Sequence, residues 1–254
     1  MSIHFTSIHP ALIALLAITP AIAAAEPVFQ ATGGAITIGK LKVELGSNGV
    51  IQILRPGTTT PQSDFHFPTV RTGDSKWQHA AMWEGRAITV DPVQHTTVMR
   101  GNLPLADGST LPMSWGYRLL PDGTIRITAR NEGSKPLKDQ ARAWIAFHSA
   151  RSLHTERPIT VDTQAFSIPP LNDGETASHP MYTGPAKPVS FTISLPAKLS
   201  LNFDHITELQ ISDKRDATKP TGGQIQVNAP FTADEASVDL RLADDDRDTP
   251  PAKR

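Results

Sequence analysis

Asp64, Phe65, His66 and Phe67, followed by Asp74, Lys76, Trp77, His79, Met82, Trp83 and Glu84, gather ionisable and aromatic side chains into one short stretch. Flat indole rings stack on the apolar faces of sugar rings, and imidazoles and carboxylates beside them hydrogen-bond hydroxyls. Polar groups converging beside an apolar surface are what a small-ligand site requires. The expected ligand contacts are therefore Trp77, His79, Trp83, Asp74, Glu84 and His66, with the indoles stacking and Asp74 and Glu84 orienting hydroxyls. The structural alternative is that Trp77 and Trp83 cover an opening in the core, since Trp is highly buried on average.

Other chemistries find less support. His66 and His79 with Asp64, Asp74 or Glu84 offer nitrogen and oxygen ligands, yet no His-x-His, His-Glu-x-x-His or calcium-loop spacing is present. No metal and no cofactor is expected. His148 and His154 flank Arg151 after a strand-like run and could line a sheet face. Thr72-Gly73-Asp74-Ser75 invites comparison with Gly-Asp-Ser esterases, but no Asp-x-x-His follows to supply a base, and the β-rich remainder contradicts their α/β fold. Glycoside cleavage needs two carboxylates that meet in space without any sequence motif. Glu84, Asp91, Asp122 and Glu132 are the candidates, and turn chemistry already explains Asp122 and Glu132.

The elements that must position these residues are strands. Residues 35–45 alternate near a period of two, with Gly39 as a bulge or turn point, and Ser47-Asn48-Gly49 turns the chain into 50–54. Met113, Trp115, Tyr117 and Leu119 alternate with polar or small residues, Pro121-Asp122-Gly123 turns, and Ile125 and Ile127 return. Residues 143–147 should add a third strand to make a meander. Further strands are expected at 188–195, 199–204, 206–212, 224–229 and 236–242, whereas 55–86 and 168–188 read as long irregular segments. Many short strands punctuated by Pro and Gly imply an all-β antiparallel β-sandwich, in its larger form a two-sheet supersandwich.

Residues 11–25 form an apolar run ending in Ala23-Ala24-Ala25, the layout of a secretory signal peptide. Pro10 and Thr19-Pro20 bound a run too short to span a bilayer. The expected organisation is a signal peptide at 1–25, one β-sandwich domain at 26–242 and a charged tail at 243–254. That implies a periplasmic or secreted protein with no membrane insertion after cleavage. There is no cysteine, so no disulfide or thiol chemistry is available. A net charge of −1, from 24 basic and 25 acidic residues, leaves no electrostatic footprint for nucleic acid.

Trp115-Gly116-Tyr117, the Asp122-Gly123 turn, Ile125 and Ile127, and Asn131-Glu132-Gly133 before a further strand resemble one region of galactose-mutarotase-like supersandwich domains. Such domains occur in sugar epimerases and in the β-sandwich portions of exported polysaccharide-processing enzymes. The resemblance implies carbohydrate recognition as a class and carries over no catalytic residue. The resulting expectation is an exported domain that binds a polysaccharide or small sugar. A sugar epimerase or glycan-cleaving enzyme on the same scaffold is the alternative, followed by a non-catalytic envelope structural protein.

Overall fold

Runs that alternate apolar and polar residues bury one face and wet the other, and here they become the strands of two sheets. The computed structural model describes residues 26–55, 63–66, 70–71, 77–105, 107–150, 158–168, 176–177, 179–193, 197–215 and 224–244. The expected signal peptide, Asp74, His154 and residues 245–254 lie outside the described residues.

In chain order the first strands are β1 (Val28–Phe29), β2 (Ile36–Ile38), β3 (Leu41–Leu45), β4 (Val50–Leu54), β5 (Ser63–His66), β6 (Val70–Arg71) and β7 (Trp77–Gln78). There follow β8 (Glu84–Asp91), β9 (Thr96–Pro104), β10 (Thr110–Leu119), β11 (Ile125–Asn131), β12 (Ala143–Ala150), β13 (Ile159–Val161) and β14 (Gln164–Phe166). The last are β15 (His179–Pro185), β16 (Val189–Ile193), β17 (Ala197–Asp204), β18 (Glu208–Asp213), β19 (Gln224–Phe231) and β20 (Glu235–Asp244).

Among the described residues the first sheet has nine strands in the order β1-β2-β3-β4-β5-β12-β19-β18-β15. The second also has nine, ordered β14-β13-β16-β17-β20-β11-β10-β9-β8, and β6–β7 form a separate two-stranded ribbon. All pairings are antiparallel, and one continuous apolar core lies between the sheets, so the expected all-β sandwich is what forms.

Trp115 and Tyr117 on β10 are both buried and both reach across to the first sheet. Trp115 Nε1 donates to the Gly49 carbonyl at 3.0 Å, and Tyr117 Oη donates to the Gly34 carbonyl at 2.8 Å. Gly34 and Gly49 have φ of +69° and +78°. A Cβ on Gly49 would stand 2.5 Å from the Ala80 Cβ, so only glycine allows this approach.

Three expectations are revised. The meander does not form, because β11 pairs with β10 and β20 while β12 belongs to the other sheet. Between them a 3-10 turn (Leu137–Asp139) buries Leu137, and Asp234 Oδ1 accepts from both the Leu137 N–H and the Asn131 amide, carrying the chain across the sandwich. The stretch 55–86, expected to be irregular, contributes β5 to the middle of the first sheet; Ser63 and Phe65 point inward in a run of only four residues. The stretch 168–188 likewise contributes the edge strand β15. The last strand runs to Asp244, pairing with Ala197.

Replacing Trp115 by Phe removes a cross-sheet hydrogen bond and leaves a void, which should cost about 2–4 kcal/mol in urea denaturation. Burial pushes the Tyr117 phenol up to about 12. The neutral phenol's contribution is complete below about pH 10 and is lost as pH rises through about 12. Tyr117→Phe should therefore be less stable than the parent by about 1 kcal/mol near neutrality, with the gap closing or reversing above about pH 11. An unchanged gap at both pH values contradicts this coupling.

Candidate functional site

Strand parity sets which side chains leave the core. In β5, Ser63 and Phe65 face inward, so Asp64 and His66 stand together on the outer face of the first sheet. In β12, Ile145 and Phe147 face the core, which puts Trp144, Ala146 and His148 on the other face of the sheet, where Ala146 is itself covered. Antiparallel register then sets His148 opposite Asp64 and Ala146 opposite His66. Below them the Ser63 hydroxyl donates to Ser149 Oγ at 3.2 Å inside the core, pinning the same two strands from the other side.

The result is a carboxylate held against two imidazoles. Asp64 Oδ1 lies 2.9 Å from His66 Nε2 and 3.4 Å from His148 Nδ1, and the two rings are 4.5 Å apart. The three side chains are between 18% and 29% exposed. Oδ1 itself is buried, yet among the described residues no donor is aligned on it as a hydrogen bond. Burial pushes the Asp64 carboxyl up, but the polar contacts with His148 and His66 and their charge outweigh it and hold it at about 2. The group is an anion across the physiological range.

His79 stands near this cluster. Burial first, then the charges of His66 and His148, lower its affinity for a proton. It precedes a 3-10 turn (Ala80–Met82), and its carbonyl accepts from the Met82 N–H at 2.8 Å. The β6–β7 ribbon that leads to it packs beside β12.

Around the cluster, register extends one polar row and one mixed row across the sheet. One runs Gln52, Asp64, His148, Gln226, Ser212; the other runs Val50, His66, Ala146, Asn228, Gln210. Beyond the second row, Trp144 lies opposite Pro230 and borders an open hollow of about 560 Å³ with Arg142, Glu208 and Gln210. A hollow of this size suits a small ligand.

The expected site residues are therefore not all brought together. His66 is a member of the cluster, His79 stands near it, and Trp77 lies on the ribbon strand β7. Trp83 is a core residue, 3% exposed and packed against Gly101, so its indole has no face left for stacking. Glu84 is exposed but opens the edge strand β8 of the second sheet, opposite Asn102. The expected set passed over three residues on the outer face of the first sheet. Asp64 and His148 carried a signal, the Asp-x-His spacing and the outward parity of β12; Trp144 shares that parity.

Trp83→Ala should cost about 3–5 kcal/mol in thermal or urea unfolding. Glu84→Gln should stay within about 0.5 kcal/mol of the parent. Equal effects from the two would contradict the placement of these neighbours.

No protein-family model matches the sequence, and no curated protein matches it. The fold is similar to solved structures of the α-N-acetylgalactosaminidase NagBb from Bifidobacterium bifidum. The complex with GalNAc aligns at a TM-score of 0.56 and 11% identity, covering 83% of this chain and 36% of that one. The complex with Gal-NHAc-DNJ aligns at a TM-score of 0.55 and 11% identity over the same shares. The chain thus spans about a third of that enzyme's length, and at this identity the likeness shows a shared β fold.

Proposed function

We propose that this chain is an exported carbohydrate-recognition domain and that its ligand face is the outer face of the first sheet. The observation that carries this reading is the polar row of Gln52, Asp64, His148, Gln226 and Ser212, with His66, Asn228 and Gln210 in the mixed row between it and Trp144. Amides, imidazoles and a carboxylate are arrayed at strand spacing, about 4.8 Å apart from row partner to row partner. Hydroxyls spaced along a sugar chain meet such an array repeatedly. Trp144 and Pro230, at the edge of the hollow, supply an apolar surface for one ring, and Arg142 and Glu208 supply charged rims.

Each class of group has a separate task. Gln52, Gln226, Asn228 and Gln210 both donate and accept, so they bind hydroxyls without selecting charge. Asp64, ionised and braced by His66 and His148, accepts from a hydroxyl pair. His79, which feels the charges of His66 and His148, would border the same face. The fold shared with part of a sugar-bound glycosidase supports the ligand class. The apolar run 11–25 supports a periplasmic or extracellular setting, where glycans are met.

Asp64 beside two imidazoles favours one further reading, acid–base chemistry at a sugar's anomeric carbon. A protein of that kind would accelerate anomer interconversion or release reducing ends, and Asp64→Asn would abolish either activity.

Calorimetric titration against a panel of neutral and amino-sugar glycans tests the main proposal. At least one glycan should bind, and Trp144→Ala and Gln226→Ala should each weaken it by about tenfold or more, near 1.4 kcal/mol. A folded protein that binds nothing on the panel, or variants that bind as the parent does, would overturn it.

A further inference from the structure

We propose that Asp64, His66 and His148 form a binding site for a divalent transition metal ion of the zinc class. This goes beyond sugar recognition and does not depend on it.

The donor set suits such an ion. Imidazole nitrogen and carboxylate oxygen are the borderline and hard ligands that zinc takes, at bond lengths of about 2.0–2.2 Å. Ligands bound at that length to one ion stand roughly 3.0–3.5 Å from each other in octahedral or tetrahedral arrangement. The two spans from Asp64 Oδ1, 2.9 Å to His66 Nε2 and 3.4 Å to His148 Nδ1, lie close to that range. All three donor atoms fall within 4.8 Å of one another.

A second observation separates this from a hydrogen-bonded triad. Asp64 Oδ1 is buried and close to two ring nitrogens, yet neither N–H is aligned on it among the described residues. A buried acceptor without an aligned donor is left with its desolvation uncompensated. Lone pairs that converge on a shared centre, instead of on each other's protons, are what a metal needs. The rigidity is also favourable. Asp64 and His148 are cross-strand partners, and Asp64 and His66 are two residues apart on one strand, so the backbone holds all three without loop rearrangement.

Three protein ligands leave at least one coordination position open. That is the pattern of sites that engage water or a ligand oxygen, in contrast to closed structural sites. The three side chains stand on the outer face of the sheet, each between 18% and 29% exposed. If the sugar reading holds, the exogenous ligand is a pair of sugar hydroxyls; otherwise it is water. His79, which feels the charges of His66 and His148, stands outside the three-residue set.

The test uses untagged full-length chain stripped with chelator, titrated with zinc chloride alone and, separately, with cobalt(II) for its visible absorption. One ion per chain should bind with micromolar affinity or tighter, and cobalt should give bands typical of nitrogen and oxygen ligation. Asp64→Asn and His148→Ala should each weaken binding by at least about tenfold, whereas His205→Asn should not. Where a variant fails to fold, imidazole NMR of the parent decides: zinc must shift His66 and His148 and leave His205 in place. No stoichiometric binding, or binding that moves none of these two signals, overturns the proposal. Glycan titration of the chelated protein is read separately, so zinc without sugar, or sugar without zinc, removes one reading and leaves the other.

Discussion

The sandwich closes on two buried polar atoms that need acceptors. An indole N–H and a phenol O–H inside an apolar core are costly unless paired, and β10 carries one of each. Their acceptors are carbonyls of turns in the opposite sheet, aimed inward because the turn residues are glycines at positive φ. Gly34 accepts from Thr97 Oγ1 as well as from Tyr117, so β9 and β10 are tied to the same turn. Each sheet's inner face is thereby seated against the other in one register. The outer faces, and with them the candidate site, inherit their position from that seating.

Much of this was legible in local sequence. The Asn48-Gly49 and Asp122-Gly123 turns, the alternation around Trp115 and Ile127, and the strand character of the C-terminal half follow from residue chemistry over a few positions. Assignment of strands to sheets was not legible in the same way. The chain leaves the second sheet after Asn131 and crosses between the sheets several more times, and at that first crossing Asn131 and Leu137 are tied to Asp234, which lies 103 and 97 positions further on. Ser63–His66 escaped notice because four residues of which only Phe65 is apolar barely register as an alternation.

The site shows the same division. His66 and Asp64 lie in a stretch whose composition attracts attention, but His148 meets them only because β12 crosses to lie beside β5. Gln226 and Ser212 join the row through two further pairings. Density of chemically capable residues along the chain favoured Trp83 and Glu84, which the fold sends respectively into the core and to the other sheet. Proximity in space is a property of the pairing order, and no window of sequence contains it.

The buried contact between Ser63 and Ser149 has a consequence for how such a face can change over time. Side chains alternate with a period of two, so a single inserted or deleted residue in β5 would turn Phe65 to solvent and Asp64 into the core. Substitution is free to retune the chemistry of the outer rows, one position at a time. Length is not, because the strand's phase is shared with the core beneath. Divergence on this surface is therefore confined to spelling and excluded from spacing.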